Sequence, residues 1–459
     1  MVQISLSKYK DLLNGHTELR IQENSKINIG VLNGDVILNA KSSLKGISAR
    51  VNNGAWGFAS SSKVSDEEVR SVLLKAKYNS ELLSSKTNKS PLTIYEDNCN
   101  YNKSFATTKT KRTQKEIIDF VRDLDSYTRT KYKNLKKVGM YINYLNMEKT
   151  LLTSTGGELY SFIPRTTLYM TLECADKEGN SVEFSDLLGG LGEFEDKFNE
   201  PKEVYYKIDE IYERLMDKCD GIYAEGGVKE CIISSEVSGI LAHEAIGHTV
   251  EADIVLGGSV ASEYLNKEVA SPIVNLVDFA HSAFGKACPV PIYVDDEGTK
   301  SEDVTVIENG ILKSYMHNKE TASHFNVKPT GNARAFEFSD EPLVRMRNTC
   351  ILPGKDKLED MISSIEDGYY FLSSNNGQAD TTGEFMFGVP FGYEIKNGKL
   401  GRGLRDTTIS GVAFDMLKTV TMISDELHWS SGGYCGKKQM ITVGMGGPSI
   451  KCKINVGGR

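Results

Sequence analysis

The segment with the clearest chemical potential is His243-Glu244-Ala245-Ile246-Gly247-His248, in which two of the seven histidines of the chain flank a glutamate. It differs by one residue from the metalloprotease pattern His-Glu-x-x-His, in which two imidazoles bind zinc and the carboxylate is the general base. His243 and His248 are therefore candidate metal ligands, and Glu244 is a candidate base. A histidine on an apolar helix is more often an ordinary core residue, so the pattern alone leaves both interpretations open.

The extra residue between the two histidines places a demand on the backbone. On a regular α-helix, side chains five residues apart point about 140° away from each other, which is too far to share one ion. A π-type turn, with hydrogen bonds from residue i to i+5, returns the sixth residue to nearly the same face, and such turns favour functional sites. We predict a π-type turn between His243 and His248, with Gly247 as the residue at which the backbone absorbs the distortion.

The elements around this segment must position it. Residues 229–233 are β-like, and Ser234 or Ser235 can cap the helix that carries the histidines. Downstream, Glu251 and Asp253 have two interpretations. They form the exposed end of the helix, or they orient a metal-bound imidazole, as ligating histidines usually require.

The first half of the chain predicts an α+β domain. Strand-like runs cover residues 17–22, 27–32, 46–51, 138–144 and 167–174. The turn signal Asn33-Gly34 favours a hairpin within a meander, and capping boxes at Ser65 and Thr113 each precede an apolar helical face. A Gly-rich stretch at residues 187–193 then separates this region from the rest. It is interpreted as a flexible connector or, less commonly, as a cradle for a ligand backbone.

The second half contains many short β-like runs, at residues 290–294, 304–307, 311–315, 343–346 and 409–414. Turns such as Glu308-Asn309-Gly310 separate them, which favours an antiparallel architecture. The predicted fold class is α+β, with an N-terminal α/β sandwich-like domain built on an antiparallel sheet and a C-terminal, largely antiparallel β domain that carries the metal-binding helix. The predicted domains span residues 1–220 and 221–459.

Composition limits the class of protein. The 459 residues are 39% hydrophobic and 25% charged, which is ordinary globular composition, and the eight cysteines form no CxxC pair that would suggest a disulfide framework. A net charge of −8 offers no basic surface to a phosphate backbone, so we expect no nucleic-acid partner. No apolar run approaches the roughly 20 residues that span a bilayer, and the first residues lack the order of a signal peptide. We therefore expect a cytoplasmic protein with no membrane partner.

Residues 243–253, His-Glu-Ala-Ile-Gly-His-Thr-Val-Glu-Ala-Asp, resemble the signature of the TldD/PmbA family of zinc metallopeptidases, specifically its catalytic TldD branch. Five further stretches agree with that family: 295–299, 307–312, 345–349, 352–354 and 377–382. Cys435-Gly436-Lys437, followed by residues 443–448, matches the segment that supplies the third zinc ligand of the family. The resemblance is specific over roughly the second half of the chain and general over the first.

The resemblance implies that His243, His248 and Cys435 bind Zn2+ and that Glu244 is the general base. It also implies a two-domain subunit that forms a homodimer, or a heterodimer with a related family subunit, and that in heteromeric cases trims leader or precursor peptides. The expected function is a zinc-dependent peptidase that acts on unfolded or flexible peptides. The alternative is a non-catalytic peptide-binding or scaffold subunit with a structural or empty His/Cys cluster. Glu244 argues against this alternative, because a structural zinc gains nothing from a carboxylate beside its open position.

Other residues carry weaker signals. Three are candidate hydrogen-bond donors to a developing oxyanion, and the sequence does not choose among them: Tyr434, His428 and Tyr315. Three histidines are expected to be ordinary polar or core residues: His281, His317 and His324. The Gly-rich stretches 377–383 and 444–447 favour either tight turns or exposed strand edges that admit a peptide by strand addition.

Overall fold

The computed structural model describes residues 5–86, 94, 95, 97, 99–430 and 432–458. The strands of the first half are His16–Leu32 (β1), Asp35–Asn52 (β2), Trp56–Ser61 (β3), Tyr101–Ser104 (β4), Lys137–Thr153 (β5), Glu158–Ala175 (β6) and Ser181–Leu191 (β7). Its α-helices are Asp66–Lys86 (α1), Gln114–Lys131 (α2), Phe194–Lys197 (α3) and Tyr205–Cys219 (α4), with short 3-10 helices at Ser7–Leu12 and Pro201–Glu203.

These strands form one seven-stranded sheet in the order β3-β2-β1-β5-β6-β4, with β7 on β6. The predicted meander is confirmed, because β1, β2 and β3 pair antiparallel in sequence order. Asn33 and Gly34 form the two-residue turn, with φ of 49° and 94°, which the right-handed strand twist favours. The two predicted capping boxes also mark helix starts, since Ser65 accepts a hydrogen bond at the start of α1 and Thr113 forms a complete capping box on α2.

The two faces of β1 show how this sheet connects the halves of the molecule. Leu19 and Ile21 lie on the face that packs against α1. Their neighbours Gln22 and Asn24 are buried on the opposite face, where both side-chain amides donate to the carbonyl of Phe336, at 2.5 and 2.7 Å. Because every second residue points to the same side of a strand, the polar face of β1 is the surface on which the second half packs.

The strands of the second half are Gly227–Ile233 (β8), Leu276–Phe279 (β9), Ser282–Ala283 (β10), Lys286–Ala287 (β11), Val304–Glu308 (β12), Ile311–Leu312 (β13), Ala333–Arg334 (β14), Leu343–Val344 (β15), Asn348–Ile351 (β16), Asp367–Ala379 (β17), Glu384–Lys396 (β18), Lys399–Gly403 (β19), Thr407–Val412 (β20), Met422–Ile423 (β21), His428–Ser430 (β22), Tyr434–Lys437 (β23), Gln439–Thr442 (β24), Gly444–Gly447 (β25) and Ile450–Val456 (β26). Its α-helices are Ser235–Leu241 (α5), Ala252–Leu256 (α6), Lys319–Phe325 (α7), Leu358–Ser363 (α8) and Ala413–Lys418 (α9). A π-helix covers Ala242–Gly247, and 3-10 helices cover His248–Val250 and Val260–Glu263.

Two larger sheets organise this half. One has the order β13-β12-β9-β16-β25-β22. The other has the order β17-β8-β26-β20-β18-β19, and an additional pairing of β17 with β18 closes a ring of strands. Most pairs are antiparallel, and β16 with β25 and β8 with β17 are parallel exceptions. The predicted α+β class, with largely antiparallel sheets, is confirmed.

Three local expectations are wrong. The Gly-rich stretch 187–193 is no flexible connector over its first part, since β7 pairs with β6 residue by residue up to Leu191. Its glycines are used for close approach, because Gly189 has a φ of 120° and an added Cβ would collide with the Thr166 carbonyl. The run 290–294 forms only an isolated β-bridge, at Val294. The run 409–414 is a strand only as far as Val412, and α9 begins at Ala413.

The division at residue 220 stays a prediction. Side chains cross between the halves in both directions, since Leu145 and Met147 belong to the large core of the second half and Phe391 belongs to the core of the first. Among the described residues, no helix is both long and apolar enough to cross a lipid bilayer.

Candidate metal centre

Strand β8 leads directly into the helix that carries the two histidines. The Ser234 hydroxyl accepts a hydrogen bond from a backbone N–H in the first turn of α5, so Ser234 is the N-cap. Helix α5 continues without interruption into the π-helix Ala242–Gly247 and the 3-10 helix His248–Val250. The predicted π-type turn between His243 and His248 is confirmed. The two imidazole rings lie with their centroids 5.2 Å apart.

Gly247 lies in the π-helix at a tight contact with the neighbouring segment. An added Cβ would collide with the sulfur of Met346 and would lie 3.2 Å from the carbonyl oxygen of Ala242. Its φ is −55°, so the requirement for glycine here is steric and does not come from backbone strain.

We expect Gly247→Ala to lower the free energy of unfolding by about 1–3 kcal/mol, because the new methyl group forces the packed Met346 side chain aside. Urea denaturation monitored by circular dichroism measures this loss. A Gly247→Ala/Met346→Ala double variant should lose less stability than the sum of the two single variants, because the collision is absent. Equal midpoints for wild type and Gly247→Ala would contradict the expectation.

The structure brings Cys435 to the two histidines from the other end of the second half. Its Sγ, on β23, lies 3.3 Å from Nε2 of His248. One ligand atom from each of His243, His248 and Cys435 can be chosen so that all three lie within 4.8 Å of one another. Among the described residues this is the one such group of His, Cys, Asp or Glu side chains.

His243 has a ring nitrogen available for a ligand. The residue is fully buried, its Nδ1 is 3.5 Å from the Thr349 hydroxyl, and its Nε2 has no hydrogen-bond partner. Burial, together with the positive charge of His248, holds the pKa of His243 well below its usual value, so the ring is neutral. An unpaired buried nitrogen is costly, and this cost is relieved if a metal ion takes the lone pair. Two imidazoles and a thiolate are a donor set that suits zinc.

Glu244 lies beside this group and faces it. Its carboxylate oxygens are 3.6 Å from Nε2 of His248 and 3.9 Å from Nε2 of His243, and 23% of its side chain is exposed. Burial raises the pKa of Glu244 despite the opposing charge of His248, which makes the carboxylate a better proton acceptor. Gly377 lies next to Glu244, since an added Cβ would be 3.4 Å from Cγ of Glu244, and it would collide with the Phe387 ring.

A second set of side chains holds His248 in place. Nδ1 of His248 lies 3.0 Å from Glu251, which is completely buried. The ammonium of Lys437, two residues after Cys435, lies 3.2 Å from Glu251 and 2.7 Å from Asp253. Of the two interpretations of Glu251 and Asp253, the contact of Glu251 with the His248 ring favours orientation of the imidazole over an exposed helix end.

The charges of this set support one another. Burial raises the pKa of Glu251, but His248 and Lys437 outweigh it and hold this pKa below its usual value, so Glu251 is ionised. Burial lowers the pKa of His248, while Glu251 and Cys435 outweigh it and raise the pKa to about 10. An ionised acceptor at Nδ1 fixes the ring orientation and leaves Nε2 directed at Cys435.

We expect Glu251→Gln to weaken zinc binding by about 10–100-fold, because the His248 ring loses its ionised acceptor. Competition with a chromophoric chelator at fixed pH measures the affinity. Asp253→Asn is the matched control, since Asp253 contacts Lys437 without contacting either imidazole. Equal affinities in the wild type and Glu251→Gln would show that the contact with Glu251 does not support the ligand.

The remaining candidates are placed as follows. The Tyr315 hydroxyl is buried and donates to the Ala261 carbonyl at 2.8 Å, so it is not available to a substrate. Tyr434 is 46% exposed and directly precedes Cys435, and His428 is exposed on β22. The three histidines expected to be ordinary residues lie outside the His-His-Cys group: His281, His317 and His324.

The two Gly-rich stretches differ in what they offer a peptide. Gly444–Gly447 is β25, which pairs with β16 on one side and β22 on the other, so the expectation of an exposed edge is wrong there. On β17, pairing with β8 ends at Phe371, and in the described structure no strand pairs with that edge of residues 372–379. Side chains at the start of α5 occupy its beginning, since the Ser234 hydroxyl donates to the Leu372 carbonyl and the Ser374 N–H donates to Glu236. This edge leads to Gly377 and hence to Glu244.

A cleft of about 850 Å³ is lined by residues of both halves. Residues 185–189 of the first half line one wall, and residues 374 and 375 of β17 together with His428–Ser430 line another. Residues 374 and 375 lie on the same strand as Gly377, which is beside Glu244, and Leu187 lies against Gly432, three residues before Cys435. The lining of the cleft is thus connected to the centre through neighbouring residues of the chain, although no candidate ligand lines it.

Comparison with known proteins places the chain in a family. A family model described as the PmbA/TldA metallopeptidase C-terminal domain matches residues 226–458, and one described as PmbA/TldA metallopeptidase domain 1 matches residues 17–80. A metalloprotease of Methanocaldococcus jannaschii is 30% identical over 98% of both chains. A zinc metalloprotease TldD homolog of Saccharolobus solfataricus is 30% identical over 90% of both chains.

The fold is also that of solved proteins. The crystal structure of TldE from Thermococcus kodakarensis superposes with a TM-score of 0.75 over 99% of both chains, at 16% sequence identity, which shows a shared fold. About half of the chain matches one family model, and nearly all of it aligns with a metalloprotease at 30% identity. This chain belongs to the PmbA/TldD family of metallopeptidases.

Proposed function

We propose that the protein is a zinc-dependent peptidase in which His243, His248 and Cys435 bind the ion and Glu244 is the general base. The observation that carries the proposal is the convergence of two ring nitrogens and one sulfur within 4.8 Å, with a carboxylate beside them. Zinc in a relative's name, a zinc metalloprotease TldD homolog, also supports the choice of metal.

The residues divide the chemistry between them. Zinc, when bound by three protein ligands, lowers the pKa of water towards about 7 and polarises a carbonyl group. Glu244 accepts the proton of the attacking water at its carboxylate and returns it to the leaving amine. Glu251 and Lys437 keep the His248 ring in one orientation during these steps. A thiolate donates more charge to the ion than imidazole does, so we expect modest turnover.

The substrate that fits this site is an unfolded or flexible peptide. Beyond Ser374, no strand of the described structure pairs with this edge of β17, and an extended peptide can pair with its backbone groups without regard to side chains. A folded protein already pairs most of its backbone hydrogen-bonding groups internally, so it offers few of them to this edge. Cytoplasmic trimming of leader or precursor peptides is the role we propose.

We also propose that the protein works as a dimer, with a second copy of itself or with a related family subunit. The shared fold with the protein named TldE supports a related subunit as partner. The alternative function, a non-catalytic scaffold, is disfavoured by Glu244, because a structural ion does not need a partly exposed carboxylate beside it.

Metal removal tests the proposal. The purified chain is expected to hold about one zinc ion and to cleave an unfolded, reduced protein substrate while sparing the same substrate with its disulfides intact. Chelation should remove activity, and stoichiometric zinc should restore it, because the water is not activated without the ion. Stoichiometric zinc without turnover, including in mixtures with related subunits, would favour the scaffold.

A further inference from the structure

One buried arginine has almost no partner within the protein. Arg165 lies on β6, and only 5% of the residue is exposed. Its side chain donates one hydrogen bond, from Nη1 to the Gly433 carbonyl at 3.2 Å, and its buried Nη2 has no partner. Among the described residues, no carboxylate lies within 4 Å of its guanidinium. The nearest aromatic contact is with Tyr434, whose ring centroid lies 5.6 Å from Cζ of Arg165.

The other buried arginines show how unusual this is. Five more lie below 9% exposure in the described structure, and each donates at least two hydrogen bonds: Arg20, Arg50, Arg334, Arg345 and Arg347. Arg20 and Arg345 also have buried nitrogens without a partner, so Arg165 differs from the others in making a single hydrogen bond. Burying a cation is costly unless it is paired and hydrogen-bonded. Arg165 therefore carries an unmet requirement for an anion or a strong acceptor.

Arg165 lies beside the segment that leads into Cys435. Its acceptor, the Gly433 carbonyl, is two residues from Cys435. On the other side, Gly432 lies against Leu187, because an added Cβ would collide with that side chain, and Leu187 lines the cleft. The unpartnered Nη2 thus belongs to a side chain that lies between the segment carrying Cys435 and the part of the first half that lines the cleft.

We propose that Arg165 binds a carboxylate of the peptide substrate beside the segment that carries Cys435. This inference rests on the proposed peptidase function. The planar guanidinium can donate two parallel hydrogen bonds to a carboxylate. A bound carboxylate would supply the negative charge that no residue of the protein places beside Arg165. Burial lowers the pKa of Arg165 to about 10, so the group is still a cation at neutral pH.

The carboxylate has two sources. The free C-terminus of the peptide would make the enzyme favour cleavage near that end, whereas an acidic side chain would make it favour an Asp or Glu at one position from the scissile bond. Because the same guanidinium would bind either carboxylate, matched pairs of peptides are needed to distinguish the two sources.

Binding to the full-length, zinc-loaded Glu244→Gln protein tests the inference without turnover. The probes are an N-terminally labelled, unstructured nonapeptide of Gly, Ser, Ala and Leu with a free C-terminus, and the same peptide as its amide. A second pair consists of amidated nonapeptides with Glu or Gln at the central position. Fluorescence anisotropy gives Kd for each peptide with Glu244→Gln alone and combined with Arg165→Met or Arg165→Lys.

We expect one carboxylate peptide to bind about tenfold more tightly than its neutral partner, as a charge-assisted hydrogen bond allows. Arg165→Met should abolish this preference, and Arg165→Lys should keep part of it. Preference for the free acid identifies the C-terminus, and preference for Glu over Gln identifies a side chain. The inference is overturned if neither pair shows a preference, or if the preference survives in Arg165→Met.

Two controls keep this result separate from others. If the wild type holds no zinc and cleaves no peptide, the peptidase proposal fails. If the wild type and Arg165→Met both cleave the free-acid peptide and its amide at equal rates, only the inference about Arg165 fails. Without peptide, Arg165→Met should match or exceed the wild-type Tm, because an unpaired buried charge is replaced by an apolar side chain. A marked fall in Tm would show that the protein itself satisfies the charge, and would overturn the inference.

Discussion

Glu244→Gln is expected to reduce kcat for peptide hydrolysis by about a thousandfold, within the range that a positioned acid–base group contributes. The amide has nearly the shape of the carboxylate but cannot accept the proton of the attacking water. The carboxylate lies at 3.6 Å or more from both imidazole nitrogens, so it is not needed to hold them together. Zinc content should therefore stay near one ion per chain.

Turnover of a labelled unfolded peptide and metal analysis of the same sample measure the two effects. Glu263→Gln is the matched control, because Glu263 is an exposed glutamate in a 3-10 helix outside the site. A Glu244→Gln protein with wild-type kcat would remove Glu244 from the mechanism. A protein that lost its zinc would instead indicate that Glu244 supports the metal.

Cys435→Ser is expected to weaken zinc binding by more than about 100-fold, since even residues that only orient a ligand contribute 10–100-fold. A serine hydroxyl is a poor zinc ligand at neutral pH, whereas a thiolate is a strong one. The fold should persist, because the replacement is close in size and the β23–β24 hairpin keeps its backbone pairing.

Cobalt(II) substitution gives an independent readout of the same change. The wild type should show the thiolate-to-cobalt charge-transfer absorption in the near ultraviolet, and Cys435→Ser should not. Cys99→Ser is the control, since Cys99 is a free, partly exposed thiol outside the His-His-Cys group. Unchanged zinc affinity and an unchanged cobalt spectrum in Cys435→Ser would exclude Cys435 as a ligand.

Local sequence was sufficient for features that depend on neighbouring residues. The Asn33-Gly34 turn and the Thr113 cap follow from backbone preferences over a few positions. The π-helix after α5 follows from the spacing of two histidines that must share one ion.

Features that depend on distant residues could not be predicted from the residues alone. Lys437 reaches Glu251 across 186 positions within the second half, and Arg165 meets Gly433 across 268 positions between the halves. Only tertiary packing brings either pair together. The Gly-rich strand β7 was misjudged for the same reason. Gly189 suits close approach to a neighbouring backbone as well as it suits a loop, and only the presence of Thr166 beside it decides between them.

The π-helix limits how this chain can vary. Removing one residue between the histidines would restore regular helical winding and the shorter zinc-binding pattern, with both rings again on one side. The same deletion would shorten the segment by one residue, so His248 and Glu251 would move together relative to Cys435 and Lys437, which lie on the separate strand β23. A change of spacing in the helix therefore requires a matching shift of the strand that carries the third candidate ligand.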